Sequence, residues 1–187
     1  MKILRITLLA MMTILCSSAC SSQKTTKDME KKKVLVVYFS ATGTTEKVAQ
    51  RLARVAEADI CEITPALPYS RDDLDWTNPK SRSSVEMNDP ESRPEVKPID
   101  VDIRQYDCIF LGYPIWWDLA PRAVNTFIES NDMTGKTVIP FATSGGSGIS
   151  GSVAALKKAY PAVKWQDGKF LNGAKEKSLK AWLETIE

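Results

Sequence analysis

The sequence predicts an α/β fold, a parallel sheet covered by helices on both faces. Three observations lead there. Strand-like and helix-like runs alternate after residue 33. The strand-like runs, such as VLVVYF (34–39) and DCIFLGYP (107–114), are apolar without alternation, as strands buried on both faces are. The turns leaving three of these strands are rich in Ser, Thr, Gly and Trp, at the sheet edge where such folds bind ligands.

The elements follow in order. The first strand is expected over 33–39. A helix over about 43–57 places Val48, Leu52 and Val55 on one face and charged residues on the other. ADICEI (58–63) reads as a short strand. Residues 64–100 break the rhythm: they carry Pro65, Pro68, Pro79, Pro90, Pro94 and Pro98, and only SRSSVEMND (81–89) is helix-like. The segment also holds Tyr69, Leu74, Trp76, Val85 and Met87, so it is read as an ordered wrap beside a ligand. A strong strand is expected over 107–114 and a helix over 120–130, with Pro121 suited to its first turn. A strand over 136–144, a helix over 151–161 ended by Pro161, a last strand within 163–171 and an amphipathic helix over 174–186 complete the chain.

Ahead of this domain lies a targeting segment. Lys2 and Arg5 precede the apolar run ITLLAMMTIL (6–15), which is too short to span a bilayer as a mature helix. CSSAC (16–20) follows and resembles a bacterial lipoprotein signal, although Ser17 stands where that signal usually has Leu. The expected organisation is a signal peptide over 1–19, a lipidated Cys20, a flexible linker over 20–32 and the domain over 33–187. Cleavage by ordinary signal peptidase is the alternative. The expected location is the bacterial cell envelope, on the periplasmic side, with membrane contact through the lipid anchor only.

Composition narrows the function classes. The 187 residues include 25 basic and 23 acidic side chains. Removing the first 19 residues, with Lys2 and Arg5, leaves 168 residues with 23 of each sign. A neutral chain gives no sign of a nucleic-acid partner. The chain contains no histidine. That rules out Ser-His-Asp and Cys-His machinery and histidine metal sites. Cys61 and Cys108 lie in apolar runs and read as buried thiols or, alternatively, as a disulfide. No metal-ligand spacing is present, and no metal is expected.

Three loops carry the chemistry. The first is Ser40-Ala41-Thr42-Gly43-Thr44-Thr45, between a strand and a helix. Free N–H groups at a helix start, together with four hydroxyls, can hold a phosphate without a lysine. Helix capping is the simpler reading, but it needs one such residue rather than four. The second is GYPIWWDLAP (112–121), whose aromatics suit either a core corner or a flat ligand. The third is TSGGSGISG (143–151). Its glycines fit a G-x-G-x-x-G dinucleotide pattern, but they do not follow the first strand, so they read more simply as bare backbone approaching a ligand edge. A planar heteroaromatic with one phosphate, such as flavin mononucleotide (FMN), fits all three.

YFSATGTTEKVA, YDCIFLGYPIWWDLAP and PFATSGGSGISGS resemble the phosphate- and ring-binding loops of the flavodoxin family. Within it, they resemble the branch related to flavodoxin-like bacterial lipoproteins and quinone reductases. The resemblance covers residues 33–187. It implies a three-layer sandwich on a five-stranded parallel sheet in order 2-1-3-4-5, with FMN as cofactor. It implies that Ser40, Ala41, Thr42, Gly43, Thr44 and Thr45 hold the phosphate, that Pro114, Ile115, Trp116 and Trp117 line the ring, and that Thr143, Ser144, Gly145, Gly146 and Gly148 meet its pyrimidine edge. The wrap, atypical of a bare carrier, brings in Tyr69, Arg82, Glu86 and Arg93 as substrate-side groups. No side chain is expected to be catalytic, because the ring carries the chemistry. The expected function is an oxidoreductase passing electrons from NAD(P)H or another small-molecule donor to a quinone-like acceptor. An electron carrier between protein partners is the alternative, and a non-flavin phosphate-binding module is the second alternative. Carriers of this family are typically acidic, and this neutral chain departs from that.

Overall fold

The structure, a computed structural model, describes residues 33–186. The signal segment 1–19, Cys20 and the linker 20–32 lie outside the described residues. Strands form where aliphatic and β-branched residues run together. β1 (Val34–Tyr38), β2 (Asp59–Glu62), β3 (Cys108–Pro114) and β4 (Thr137–Thr143) pair in parallel in the order β2-β1-β3-β4. Two short strands, β5 (Lys164–Trp165) and β6 (Lys169–Phe170), share the position beyond β4. The sheet therefore has the expected 2-1-3-4-5 order, with its fifth position split.

That split corrects the expectation of one strand within 163–171, and Pro140 explains it. Gln166 N–H donates to the Val138 carbonyl and Leu171 N–H to the Ala142 carbonyl, each at 2.9 Å. Even-numbered residues of β4 thus face the fifth position. Pro140 faces it too but has no N–H to give. The ladder lapses beside it, and the chain leaves the sheet at Gln166–Gly168. Gly168 lets it pass: an added Cβ would sit 2.8 Å from Ile149 Cδ1 and from Val153 Cγ2.

Helices cover both faces. α1 (Thr44–Ala56) and α5 (Glu176–Leu183) bury Leu52, Leu179 and Trp182 against Val36, Phe110, Ile139 and Phe141. α3 (Arg122–Glu129) and α4 (Ser150–Ala159) bury Val124, Phe127 and Leu156 against Leu35, Val37, Ile109 and Leu111. Burying one such aliphatic side chain contributes about 1.5–3 kcal/mol. Cys61 and Cys108 sit on strands either side of β1, in register with Val37 and Val34, and no disulfide joins them.

The segment between β2 and β3 is ordered by contacts that its sequence does not advertise. Its ends pair with each other: Ala66 N–H donates to the Glu95 carbonyl at 2.9 Å and Lys97 N–H to the Thr64 carbonyl at 2.8 Å. α2 (Arg82–Asn88) starts at Ser81, whose hydroxyl accepts from Ser84 N–H. At its far end, buried Arg122 of α3 donates to the carbonyls of Glu86 and Met87 at 3.3 and 3.0 Å. A neighbouring helix thus satisfies carbonyls left open at the α2 C-terminus. Thr126 Oγ1 donates to the Pro94 carbonyl and Arg93 pairs with Glu129 at 2.7 Å, so α3 holds the segment at three points.

Candidate functional site

The site lies at the carboxyl ends of β1, β3 and β4, where three loops and the 64–100 segment meet. The first loop leaves β1 and enters α1 through Gly43, which adopts φ 78°, a left-handed conformation suited to glycine. Gly43 occupies the capping position, and no side chain caps this helix start. The hydroxyls are placed otherwise. Thr42 Oγ1 and Thr44 Oγ1 lie 3.3 Å apart on exposed residues. Thr45 is buried and shares a 2.8 Å hydrogen bond with Thr143 at the end of β4. The first amides of α1 therefore remain available to a ligand, with the positive end of the helix dipole behind them.

The second loop is a tight hairpin. Trp116 and Leu119 exchange backbone hydrogen bonds at 3.0 and 2.9 Å, and the two residues between them have positive φ, 47° at Trp117 and 60° at Asp118. Two-residue turns of this hand normally favour Gly or Asn. The conformation is braced from α4, where Gly151 leaves room: an added Cβ would lie 3.3 Å from the Asp118 carbonyl oxygen. The turn keeps Trp116 against Phe39 and Tyr69, in edge-to-face contacts of 5.6 and 5.4 Å between centroids. It leaves Trp117 45% exposed. Tyr113 is fully buried against Ser152 and belongs to the core.

The third loop is shaped by Ser144 and Asn172. Ser144 Oγ accepts from the N–H groups of Gly146 and Ser147. The Asn172 amide accepts from Ser144 N–H at 3.0 Å and donates to the Ser144 carbonyl at 2.6 Å. Gly145, Gly146 and Gly148 have no positive φ, and an added Cβ at any of them would meet nothing within 4 Å. Neither conformation nor packing requires glycine there. Bare backbone facing open space is what a closely approaching ligand edge requires.

Two adjoining cavities open over a shared strip of Thr42, Pro114, Ile115 and Trp116. One, about 680 Å³, continues along Thr44, Thr143, Ser144, Gly145, Asn172 and Gly173. The other, about 360 Å³, continues along Ser40, Ala41, Thr45 and Trp117 to Leu74, Trp76 and Ser83 of the 64–100 segment. Among the described residues, no ionisable side chain lines either cavity. The nearby titratable groups lean toward neutrality: burial, with Glu46, raises the Glu62 carboxyl above its usual range, and burial, with Glu62 and Glu46, pushes the Tyr38 phenol up to about 12. Any attraction for an anion comes from backbone dipoles and hydroxyls.

The fold thus gathers the residues expected from the three loops, with Gly146 and Gly148 on the third loop beside the larger cavity. The substrate-side expectation fares differently. The Tyr69 hydroxyl donates to Glu86, Arg82 donates to the same carboxylate at 2.6 Å, and the Arg82 guanidinium lies 4.1 Å over the Tyr69 ring. These three groups satisfy one another. Arg93 pairs with Glu129 and lines another cavity with Arg122 and Asn125, away from the two that the loops line. Asn172 and Gly173 escaped notice, although an Asn-Gly turn after the last strand was a usable signal. Leu74 and Trp76 were expected in the wrap beside a ligand, without a role in the site, and Ser83 was not expected there, because the sequence does not show how the segment folds back.

The chain matches the family model described as Flavodoxin over residues 33–186. A protein from Bacteroides eggerthii assigned as a flavoprotein has a solved structure 55% identical to this chain, covering 83% of it and 98% of the other, with a TM-score of 0.80. A second, from Bacteroides uniformis, is 50% identical over 82% and 98%, with a TM-score of 0.79. A flavoprotein from Lactobacillus acidophilus solved in complex with FMN is 20% identical over 79% and 98%, with a TM-score of 0.63, and shares the fold. No curated protein matches the chain.

Proposed function

This chain belongs to the flavodoxin family, and from that premise we propose that it is an FMN-binding oxidoreductase passing electrons from NAD(P)H or another donor to a quinone-like acceptor. The start of α1 carries the reading: four hydroxyl residues surround it and no side chain caps it. Capping alone does not account for that arrangement. The donor set fits a phosphate monoester, with Ser40 to Thr45 holding it through amides and hydroxyls. Pro114 to Trp117, which line one or both cavities, supply a flat wall, and Gly145, with Gly146 and Gly148 following it on the same loop, supplies backbone facing open space. The FMN-bound Lactobacillus acidophilus protein supports the same cofactor on the same fold.

Bound FMN would supply hydride and electron transfer, and no side chain of this chain would need to carry the redox step. The protein's part is to bind, orient and shield. With a quinone acceptor the balance is NAD(P)H plus a proton plus quinone giving NAD(P)⁺ plus hydroquinone. The larger cavity opens widely beside Thr143 to Gly145, and on that observation an electron carrier serving protein partners is the second reading. We further propose that Cys20 is lipidated and tethers the domain to the cell envelope.

Purified protein is expected to be yellow or to become so with added FMN, and rapid mixing with NAD(P)H and a quinone should bleach and restore the flavin absorbance. A flavin that NAD(P)H never reduces favours the carrier. A colourless protein that takes up no FMN leaves only a non-flavin phosphate-binding module.

A further inference from the structure

We propose that the cavity lined by residues 90–93, α3 and α4 binds a small monocarboxylate that carries a hydroxyl group, at a site separate from that of FMN. The cavity holds about 340 Å³ and shares no lining residue with the two cavities over the loops. Its wall combines Arg93, Arg122, Asn125 and the exposed Glu91 with apolar Leu119 and Leu156. The assignment does not depend on the oxidoreductase reading.

Arg122 is the centre of the site. It is only 8% exposed. Its Nε and Nη2 donate to the carbonyls at the end of α2, and its Nη1 donates to nothing among the described residues. Carbonyls satisfy N–H groups but do not neutralise a charge. Among the described residues, Arg122 forms no ion pair with a carboxylate. Asp89 and Glu91 act on it only from exposed positions, while burial and then the charge of Arg93 lower its pKa. A buried cation without a counter-ion is costly, and the cavity it lines can admit one.

Charge and an orphaned acceptor select the ligand class. Arg93 and Glu129 neutralise each other at 2.7 Å, so one buried positive charge is left to match. A carboxylate brings one negative charge and fits the flat guanidinium. Asn125 calls for the second group. Its Oδ1 is the one buried side-chain polar atom without a hydrogen-bond partner among the described residues. The amide's orientation is fixed by its neighbours. The Tyr160 hydroxyl gives its proton to Glu129 at 2.7 Å, so it can only accept from Asn125 Nδ2, at 2.9 Å. A hydroxyl beside the ligand's carboxylate supplies the donor that Oδ1 lacks. Leu119 and Leu156 suit an apolar tail.

Calorimetric titration of the full chain with 2-hydroxy-4-methylpentanoate, with and without added FMN, tests the site. The acid should bind in both states. Its methyl ester, which has no charge, and 4-methylpentanoate, which has no hydroxyl, should each bind about tenfold more weakly. Arg122→Gln should bind acid and ester alike. Ala155→Phe, which fills the cavity from α4 and leaves the Arg122 bonds to α2 in place, should abolish binding with FMN affinity unchanged. That variant decides the matter even where Arg122→Gln fails to fold. No binding of the acid by wild type overturns the proposal. So does equal binding of the acid and either analogue, or undiminished binding by Ala155→Phe. If the protein takes up no FMN, the oxidoreductase reading falls, while the titration without FMN still decides whether this cavity holds a carboxylate.

Discussion

Thr42 and Thr45 carry the same hydroxyl three residues apart, and the fold gives them different work. Thr42 is exposed at the mouth of both cavities, while Thr45 is buried against Thr143. Hydrogen bonds to a charged group are worth about 1.5–3 kcal/mol. Thr42→Val should therefore lower FMN affinity about 10- to 100-fold and leave thermal unfolding of the FMN-free protein unchanged. Thr45→Val should cost about 1–3 kcal/mol of stability, because it strands the buried Thr143 hydroxyl. Flavin fluorescence titration and a melting curve separate the two, and identical behaviour would contradict these assignments. The sequence made the hydroxyl-rich turn legible. It could not rank the hydroxyls, because Thr143 is 98 residues away in the chain.

At the scale of elements, strand-to-loop-to-helix units were legible because each rests on local pattern. The three loops of the site follow directly from them. What stayed hidden rests on long-range pairing. The split of the last strand is caused by Pro140 on the neighbouring strand, and no feature of residues 163–171 alone announces it. Arg93 looked like a substrate group because a cation in a Pro-rich segment has no visible partner in sequence, yet Glu129 lies 36 residues on. Arg122 is the strongest such case. It is buried, its pKa is lowered by burial and then by nearby Arg93, and it holds the end of α2. Arg122→Ala should cost about 2 kcal/mol or more and open residues 64–100 to limited proteolysis before the remainder of the domain. Wild-type resistance to cleavage in that variant would show that the segment holds itself.

Across the whole molecule, every tyrosine is pressed toward its neutral form. The chain has five. Burial raises Tyr38, Tyr106, Tyr113 and Tyr160 to about 12 and Tyr69 further, with hydrogen bonds from Tyr106 to Asp59, Tyr160 to Glu129 and Tyr69 to Glu86 adding to it. Unfolded phenols titrate near about 10. The stabilisation is therefore complete below about pH 10 and is lost as pH rises through about 12, where the unfolded chain has released protons that the folded chain retains. Phenolate absorbance should stay low above pH 10 and then rise together with loss of the folded circular-dichroism signal. Independent titration near 10 in a folded chain would contradict the buried placements.

The same economy of charge governs the site: two cavities with no ionisable lining among the described residues, and an uncapped helix start that we propose holds a phosphate with the hydroxyls around it. Comparing FMN with riboflavin, which has the same ring and no phosphate, tests that claim most directly. FMN should bind at least about 100-fold more tightly, and Thr42→Val should narrow the gap. Equal affinities for the two would mean that Ser40 to Thr45 hold no phosphate.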